Sequence, residues 1–407
     1  MAEIQDIATG MRKAARPLAA ARVLTTRLVS DLSEVEALWR AIEAEDHVSV
    51  HQTRAWCAAW RSLPGLQFAA VEVHLDGQPV GVFPLEIARK GPVRVARYIG
   101  TLHSNANSVL FAKSFLETVG PAEARELARA LARSGLEADV IMLDKIRPQI
   151  GAHPHPLLHL AHVRSQNPSF QLPLHASFEA TLAQINAKRR RKKFRVSERR
   201  LETYGGYRHQ IAGTDEEART LLREFFRQKT IRFKAQGLPD VFAAPEVRAA
   251  IETLACRGPG NAAPALELHC VVLCGSNAGR VIAIAGLTCK DGHVTCQFGS
   301  IDDTLATDTS AGELLFYRMI ERACGMGADM FDFGVGDQPY KRSWCSVETP
   351  HADVFIPLSA RGRLVAPLMA FSVRARRFIK TSDGLRRLAN RIRVLAGRSN
   401  GPAAEAN

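Results

Sequence analysis

Apolar residues recur along the chain at two spacings, and the order of the spacings repeats. Val35, Leu38, Trp39 and Ile42 fall at helical intervals behind Asp31 and Ser33, which predicts a helix over Ser33–Ala44. Phe68–Leu75, the turn Asp76-Gly77 and Val80–Ala88 read as strand, turn, strand. Val93–Ile99 reads as a further strand, and Ala122–Ser134 as an alanine-rich helix. Ala138–Leu143 is an almost unbroken apolar run, the pattern of a strand buried on both faces. The same order returns later: His269–Leu273, the turn Gly275-Ser276-Asn277, Arg280–Cys289, Val294–Gly299, a helix over Ser310–Gly325 and a strand over Asp329–Phe333. Gly135, Ala138 and Asp139 even match Gly325, Ala328 and Asp329 at the last join. Two copies of one order predict two α/β domains in tandem.

Between the copies, 147–173 carries five prolines and four histidines (His153, His155, His159, His162) and reads as a connection, with a short strand possible in Leu157–Val163. Its HPHP run is extended and has no carboxylate or thiol partners in register, so no metal is expected. The second copy adds helices over Phe178–Tyr204 and Glu216–Ala235. These signals divide the chain into a flexible basic N-terminus (1–24), a first body (25–165), a second body (166–358) and a basic amphipathic tail (359–407).

Charge sharpens this division. The net charge is +13, but Lys188–Arg200 holds nine basic residues against one acid, and Arg361–Arg398 eleven against one. The remainder nets −5, so a mildly acidic body carries two basic segments suited to phosphates, nucleic acid or an anionic membrane surface. Eight cysteines show no CxxC spacing and sit mostly in apolar runs, as reduced buried thiols do. No apolar run reaches the roughly 18–20 residues that span a bilayer, and no leader with a cleavage site is evident. A cytoplasmic protein, with peripheral inner-membrane contact through 361–398, is the expectation.

Candidate chemistry concentrates in 300–344. There is no GxxxxGK, HExxH or GxSxG motif, and Asp332-Phe333-Gly334 lacks the other kinase signatures. Ser310 followed by Glu313 predicts a capping box, with Ser310, Ala311 and Gly312 offering free helix N–H groups to an anion. The strand around Asp332 ends in Gly334-Val335-Gly336-Asp337, followed by Tyr340, Lys341 and Trp344. A carboxylate, a phenol and an ammonium at a strand's C-terminal end can supply base, acid and electrophile. A solvated turn packed by Tyr340 and Trp344 is the equally open structural reading.

Gly312-Glu313-Leu314-Leu315 at a helix start, Gly327-Ala328-Asp329 behind it, and then Phe331-Asp332-Phe333-Gly334-Val335-Gly336-Asp337 with Tyr340-Lys341 and Trp344 resemble a known family. They look like the C-terminal half of GNAT-superfamily acyltransferases of the CelD/BcsL type. These are associated with bacterial cellulose or exopolysaccharide loci and are similar to the twin-domain Fem peptidyltransferases. The basic helix at Lys188–Glu202 and the helix Phe225–Gly237 fit as well. The resemblance covers about 175–350, with the duplicated layout extending it over 25–165.

It implies an α/β fold class: two tandem GNAT-like domains of mixed sheets flanked by helices, the first degenerate. Val294–Gly299 and Met330–Phe333 would splay to admit a thioester. No permanent cofactor is implied, but acetyl-CoA or another acyl-CoA as co-substrate. The acceptor would be an amine or hydroxyl of a saccharide or cell-envelope precursor. Asp332 is the first candidate for general base and Asp337 the second. Tyr340 would protonate the departing thiolate, and Lys341 would stabilise the oxyanion or grip a phosphate. Ser310, Ala311 and Gly312 would hold the donor's phosphates, and Arg191, Lys229, Arg232 and Trp344 would bind substrate. The usual pyrophosphate loop is reduced here to Asp308–Leu314, without its basic first residue or second glycine. Two other readings are an aminoacyl transferase of Fem type that takes its donor from tRNA, and a non-catalytic scaffold for polysaccharide machinery.

Overall fold

The computed structural model describes residues 22–61 and 63–382. All but the last three residues of the expected flexible N-terminus, and the expected tail beyond 382, lie outside the described residues.

Two mixed sheets form the frame. The first runs Leu24–Val29, Gln67–Leu75, Gln78–Lys90, Val93–Tyr98, Val140–Ile146, Ala352–Pro357 and His162–Arg164 in spatial order, with Leu110–Phe111 beside Gln78–Lys90. The second runs Tyr207–Ile211, Glu267–Leu273, Val281–Lys290, His293–Ile301, Met330–Val335, Ser169–Pro173 and Val347–Thr349. Each has one parallel pair at its centre: Val93–Tyr98 with Val140–Ile146, and His293–Ile301 with Met330–Val335. The expected duplication of hairpin, strand, helix and strand is present.

The division at 358 needs correction. Ala352–Pro357 leaves the second body and pairs with Val140–Ile146 and His162–Arg164 in the first sheet. There Val354 and Ile356 enter the first core, which removes them from water more completely than an edge of the second sheet would. The expected strand in Leu157–Val163 is a 3-10 turn, Pro156–His159, followed by His162–Arg164.

Helices fill the faces. Pro121–Ala132 covers one face of the first sheet, and Phe178–Ala183, Ala187–Glu202 and Ala311–Gly325 one face of the second. Between the sheets, Glu36–Glu43 and Arg54–Trp60 meet Asp215–Gln236 and Pro245–Ala255 in a shared core of Trp39, Trp60, Phe225 and Ile251. Asp215–Gln236 forms because Thr214 and Glu217 make a reciprocal cap at its start, and it stops at Gly237, whose φ of 63° few side chains tolerate. The cysteines are free, four of them buried, while Cys289 is exposed on its strand.

The helix Ala360–Thr381 runs through Pro367 without ending. It docks on the first sheet through Ala366 and, at its start, through Gly362. A Cβ on Gly362 would sit 1.8 Å from the backbone oxygen of Asp139. Gly362→Ala should therefore push the helix off the sheet and cost about 1–3 kcal/mol, as overpacking does. Urea unfolding checks this; an unchanged midpoint would show that the helix contributes nothing to the fold.

Candidate active site at the parted strands

The central feature of the second sheet is a seam. His293–Ile301 and Met330–Val335 pair over His293↔Met330, Val294↔Phe331 and Thr295↔Asp332, then part. The first strand continues along Val281–Lys290 as far as Ala283↔Ile301, and the second along Ser169–Pro173 as far as Ser169↔Val335. A bulge at Gln297, where Gly286↔Phe298 is followed by Leu287↔Cys296, bends the first strand away. Beyond Thr295 the two strands thus turn unladdered backbone edges toward one another. The first sheet parts similarly after Val95↔Val140 and Ala96↔Ile141. There the chain fills its own gap: Asn107 bridges to Ile146 and hydrogen bonds Thr101 and Asp144, while Lys145 Nζ donates to the carbonyls of Thr101 and Ser104.

Asp332 stands on the last rung and is fully buried. Its carboxylate accepts from Arg147 at 2.5 Å, His293 at 3.1 Å, Gln171 at 3.2 Å and the Gly334 N–H at 2.7 Å. Burial alone would raise its pKa, but the guanidinium of Arg147, His293 and the Gly334 amide outweigh burial and hold it far below the usual carboxylate range. A carboxylate so depressed and so fully engaged is a poor proton acceptor, so the general-base role expected of Asp332 is corrected to an electrostatic anchor between the domains. Arg147, His293 and Gln171 were not singled out in the sequence; Arg147 lies 185 positions away and carried no local signal.

The first domain touches the seam a second time. Asn105 Oδ1 accepts from the Val335 N–H at 3.1 Å, and Asn105 Nδ2 donates to Gln297 at 2.8 Å. Buried His51 approaches the same Gln297 oxygen at 3.0 Å. Gly334 makes room for this, since a Cβ there would lie 2.3 Å from Asn105 Oδ1.

Past the glycine turn, Pro339–Trp344 forms a short helix. Lys341 points inward: Nζ donates to Gly334 O at 3.1 Å and Val335 O at 2.6 Å, and burial pulls its pKa down to about 8. Its first task is thus to hold the turn at the seam's end. Tyr340 keeps an accessible edge and stacks on Phe316 at 5.4 Å, with burial of the rest raising its pKa. Asp337 faces outward in a paired bond with Arg342, at 2.6 and 2.9 Å, so the second candidate for general base is engaged away from the seam. Trp344 is buried, lies under the guanidinium of Arg190 at 4.1 Å and donates to Glu313 at 3.1 Å. It packs the helix rather than meeting a substrate.

The same contacts change the donor entry. The capping box does not form: Ser310 has φ 55° and makes no side-chain cap, and Glu313 turns to Arg190 at 2.6 Å and Lys193 at 3.2 Å. The negative charge of Glu313 is thereby neutralised, and the N–H groups of Ala311 and Gly312 have no acceptor among the described residues. Gly312 packs against Ile301, where a Cβ would meet Cγ2 at 3.1 Å, so this helix start stands at the end of the parted strand. Beside it runs the basic helix Ala187–Glu202, with Arg190 turned inward and Lys188, Arg189, Arg191, Lys192 and Arg195 exposed. On Asp215–Gln236, burial pulls Lys229 down to about 8. Lys229 lies within electrostatic reach of Cys296 in the open half of the strand, and Arg232 within reach of Tyr340. The structure thus gathers Lys229, Arg232, Tyr340 and Lys341 around the seam, places Ser310–Gly312 at its end, and sets Arg191 on the flanking helix.

Comparison with known proteins bears on the fold. Residues 188–342 match the family model for the acetyltransferase (GNAT) domain. The solved structure of FemX superposes with a TM-score of 0.57 at 14% identity, over 83% of this chain and 98% of that one. The C-terminal domain of a putative lysylphosphatidylglycerol synthetase from Agrobacterium fabrum (TM-score 0.48, 11% identity, 84% and 96%) also aligns. So does a tandem GNAT protein from the clavulanic acid pathway (0.45, 12%, 83% and 100%). No curated protein matches the chain in sequence. The fold is that of the GNAT acyltransferases in two tandem copies, close in layout to FemX.

Proposed function

We propose that the second domain transfers an acyl group from an activated donor lying in the seam to an amine or hydroxyl of a saccharide or cell-envelope precursor, as in the CelD/BcsL type. The observation that carries this reading is the end of the ladder after Thr295↔Asp332. A slender thioester arm fits between unladdered edges, and backbone N–H groups there can polarise its carbonyl. Acyl-CoA is the first choice of donor, its phosphates meeting the Ala311 and Gly312 amides. With Asp332 and Asp337 engaged elsewhere, Lys229 is the better proton acceptor: its amine is neutral in useful amount near pH 8. Tyr340 protonates the leaving thiolate. The first domain, its own gap filled, is architectural. The site is proposed to work in the cytoplasm; among the described residues, no helix is long and apolar enough to cross a membrane.

A second donor is favoured by one observation, the exposed cations of the basic helix beside the entry. They suit an aminoacyl group carried on tRNA, whose binding would weaken steeply with salt. A donor panel tests both. Acetyl-CoA or a longer acyl-CoA should raise the melting temperature and be consumed when acceptor is added. The rate should rise with pH through about 8 as Lys229 loses its proton. It should fall roughly 100-fold or more in Lys229→Met. A shift with aminoacyl-tRNA alone would move the assignment to the second donor; no shift with either would remove the seam as a donor site.

A further inference from the structure

We propose that the helix Ala360–Thr381 lies on an anionic lipid surface through the face it turns away from the first domain. Gly362, Ala366 and Val373 are the buried positions of this helix, and they fix which side meets the sheet. Leu364, Leu368, Phe371 and Phe378 follow at steps of four, three and seven, which places them on one stripe opposite that side. They are 74%, 67%, 67% and 63% exposed. Of the twelve large apolar side chains exposed among the described residues, five are on this one helix, Ile379 being the fifth. Scattered single apolar residues need no explanation, but a contiguous stripe does.

Charge decides what covers the stripe. The helix carries Arg361, Arg363, Arg374, Arg376, Arg377 and Lys380 and no acidic residue. Arg363 and Arg374 are exposed beside the apolar stripe, while Arg361 turns to the Pro92 carbonyl and Asp139 of the first domain. A second copy of the chain laid against this face would oppose cations to cations. An anionic bilayer satisfies both parts at once: acyl chains take the leucines and phenylalanines, and headgroups take the arginines. The far end of the helix also reaches the candidate site. Lys380 donates to Asn167, next to Pro168, whose carbonyl accepts from Gly336 in the turn that ends the seam strand. Lys380 follows Val373 by seven positions and shares the docked side, so the helix would stand between the lipid surface and that turn.

Sedimentation of the full chain with vesicles tests this. Vesicles of phosphatidylcholine mixed with phosphatidylglycerol should bind the chain, phosphatidylcholine alone should bind it at least about tenfold more weakly, and added salt should weaken the binding. Leu368→Glu combined with Phe371→Glu should reduce anionic-vesicle binding by about tenfold or more while leaving the melting temperature unchanged, both sites being exposed. Arg363→Glu with Arg374→Glu should reduce it comparably. Absence of binding, equal binding to neutral vesicles, or undiminished binding by the apolar double variant would overturn the proposal. So would a wild-type dimer that the apolar variant abolishes without altering lipid binding, because the stripe would then be an interface between copies.

Discussion

Asp332→Ala should lower the unfolding free energy by about 3 kcal/mol or more, as removal of one partner from a buried charge network does. The substitution leaves Arg147, His293 and Gln171 facing an empty position at the contact between the domains. It also removes the acceptor of the Gly334 N–H and so loosens the turn that Lys341 holds. The effect carries a pH signature. The carboxylate's pKa is depressed in the folded chain, so its contribution is complete above the ordinary carboxylate range. It erodes as the pH falls below about 4. Urea unfolding of wild type and variant at neutral and acid pH should show a difference that shrinks on acidification. A loss below about 1 kcal/mol at neutral pH would place the pair among exposed ion pairs and remove its anchoring role. Kinetics separate the anchor from a catalytic base: Asp332→Asn should affect stability more than it affects the pH dependence of turnover.

Arg190→Ala should cost about 3–5 kcal/mol. Its guanidinium is buried and holds three things together: Glu313 at the start of Ala311–Gly325, the Ser343 carbonyl, and the face of Trp344. Removing it leaves Glu313 with Lys193 and the Trp344 indole as partners and frees the short helix that carries Tyr340 and Lys341. Arg190→Lys should recover little, because a compact ammonium has neither the planar face that stacks on the indole nor the span of the guanidinium fork between Glu313 and the Ser343 carbonyl. Arg191→Ala, one position on and exposed, is the control and should leave the melting temperature within a degree or so. Equal effects at the two positions would mean that the helix contributes only its charge.

These two residues show where the sequence was legible and where it was not. The two strands, Val294–Gly299 and Met330–Phe333, could be read from local pattern, whereas their parting was implied by the resemblance to the GNAT acyltransferases. Helix starts with side-chain caps were legible too, and Thr214 with Glu217 behaves as its spacing predicts. Ser310 with Glu313 has the same spacing and does not cap, because a left-handed Ser310 points its hydroxyl elsewhere and Arg190 takes the carboxylate. Partners distant in sequence were the recurrent gap. Nothing near Asp332 announces Arg147, nothing near Gln297 announces His51 and Asn105, and a run of nine cations gave no sign that Arg190 faces inward.

The crossing of Ala352–Pro357 into the first sheet has a consequence for how the molecule is made. Ser169–Pro173 opens the second half and stays in its sheet, but Ala352–Pro357 pairs in the first sheet, so the first half borrows a strand encoded after the second. During synthesis the first sheet waits, with Val140–Ile146 lacking a neighbour on one side, until the ribosome has released residue 357. Cutting the gene between the halves would leave the first fragment without a strand of its sheet and the second carrying a strand with no sheet to join.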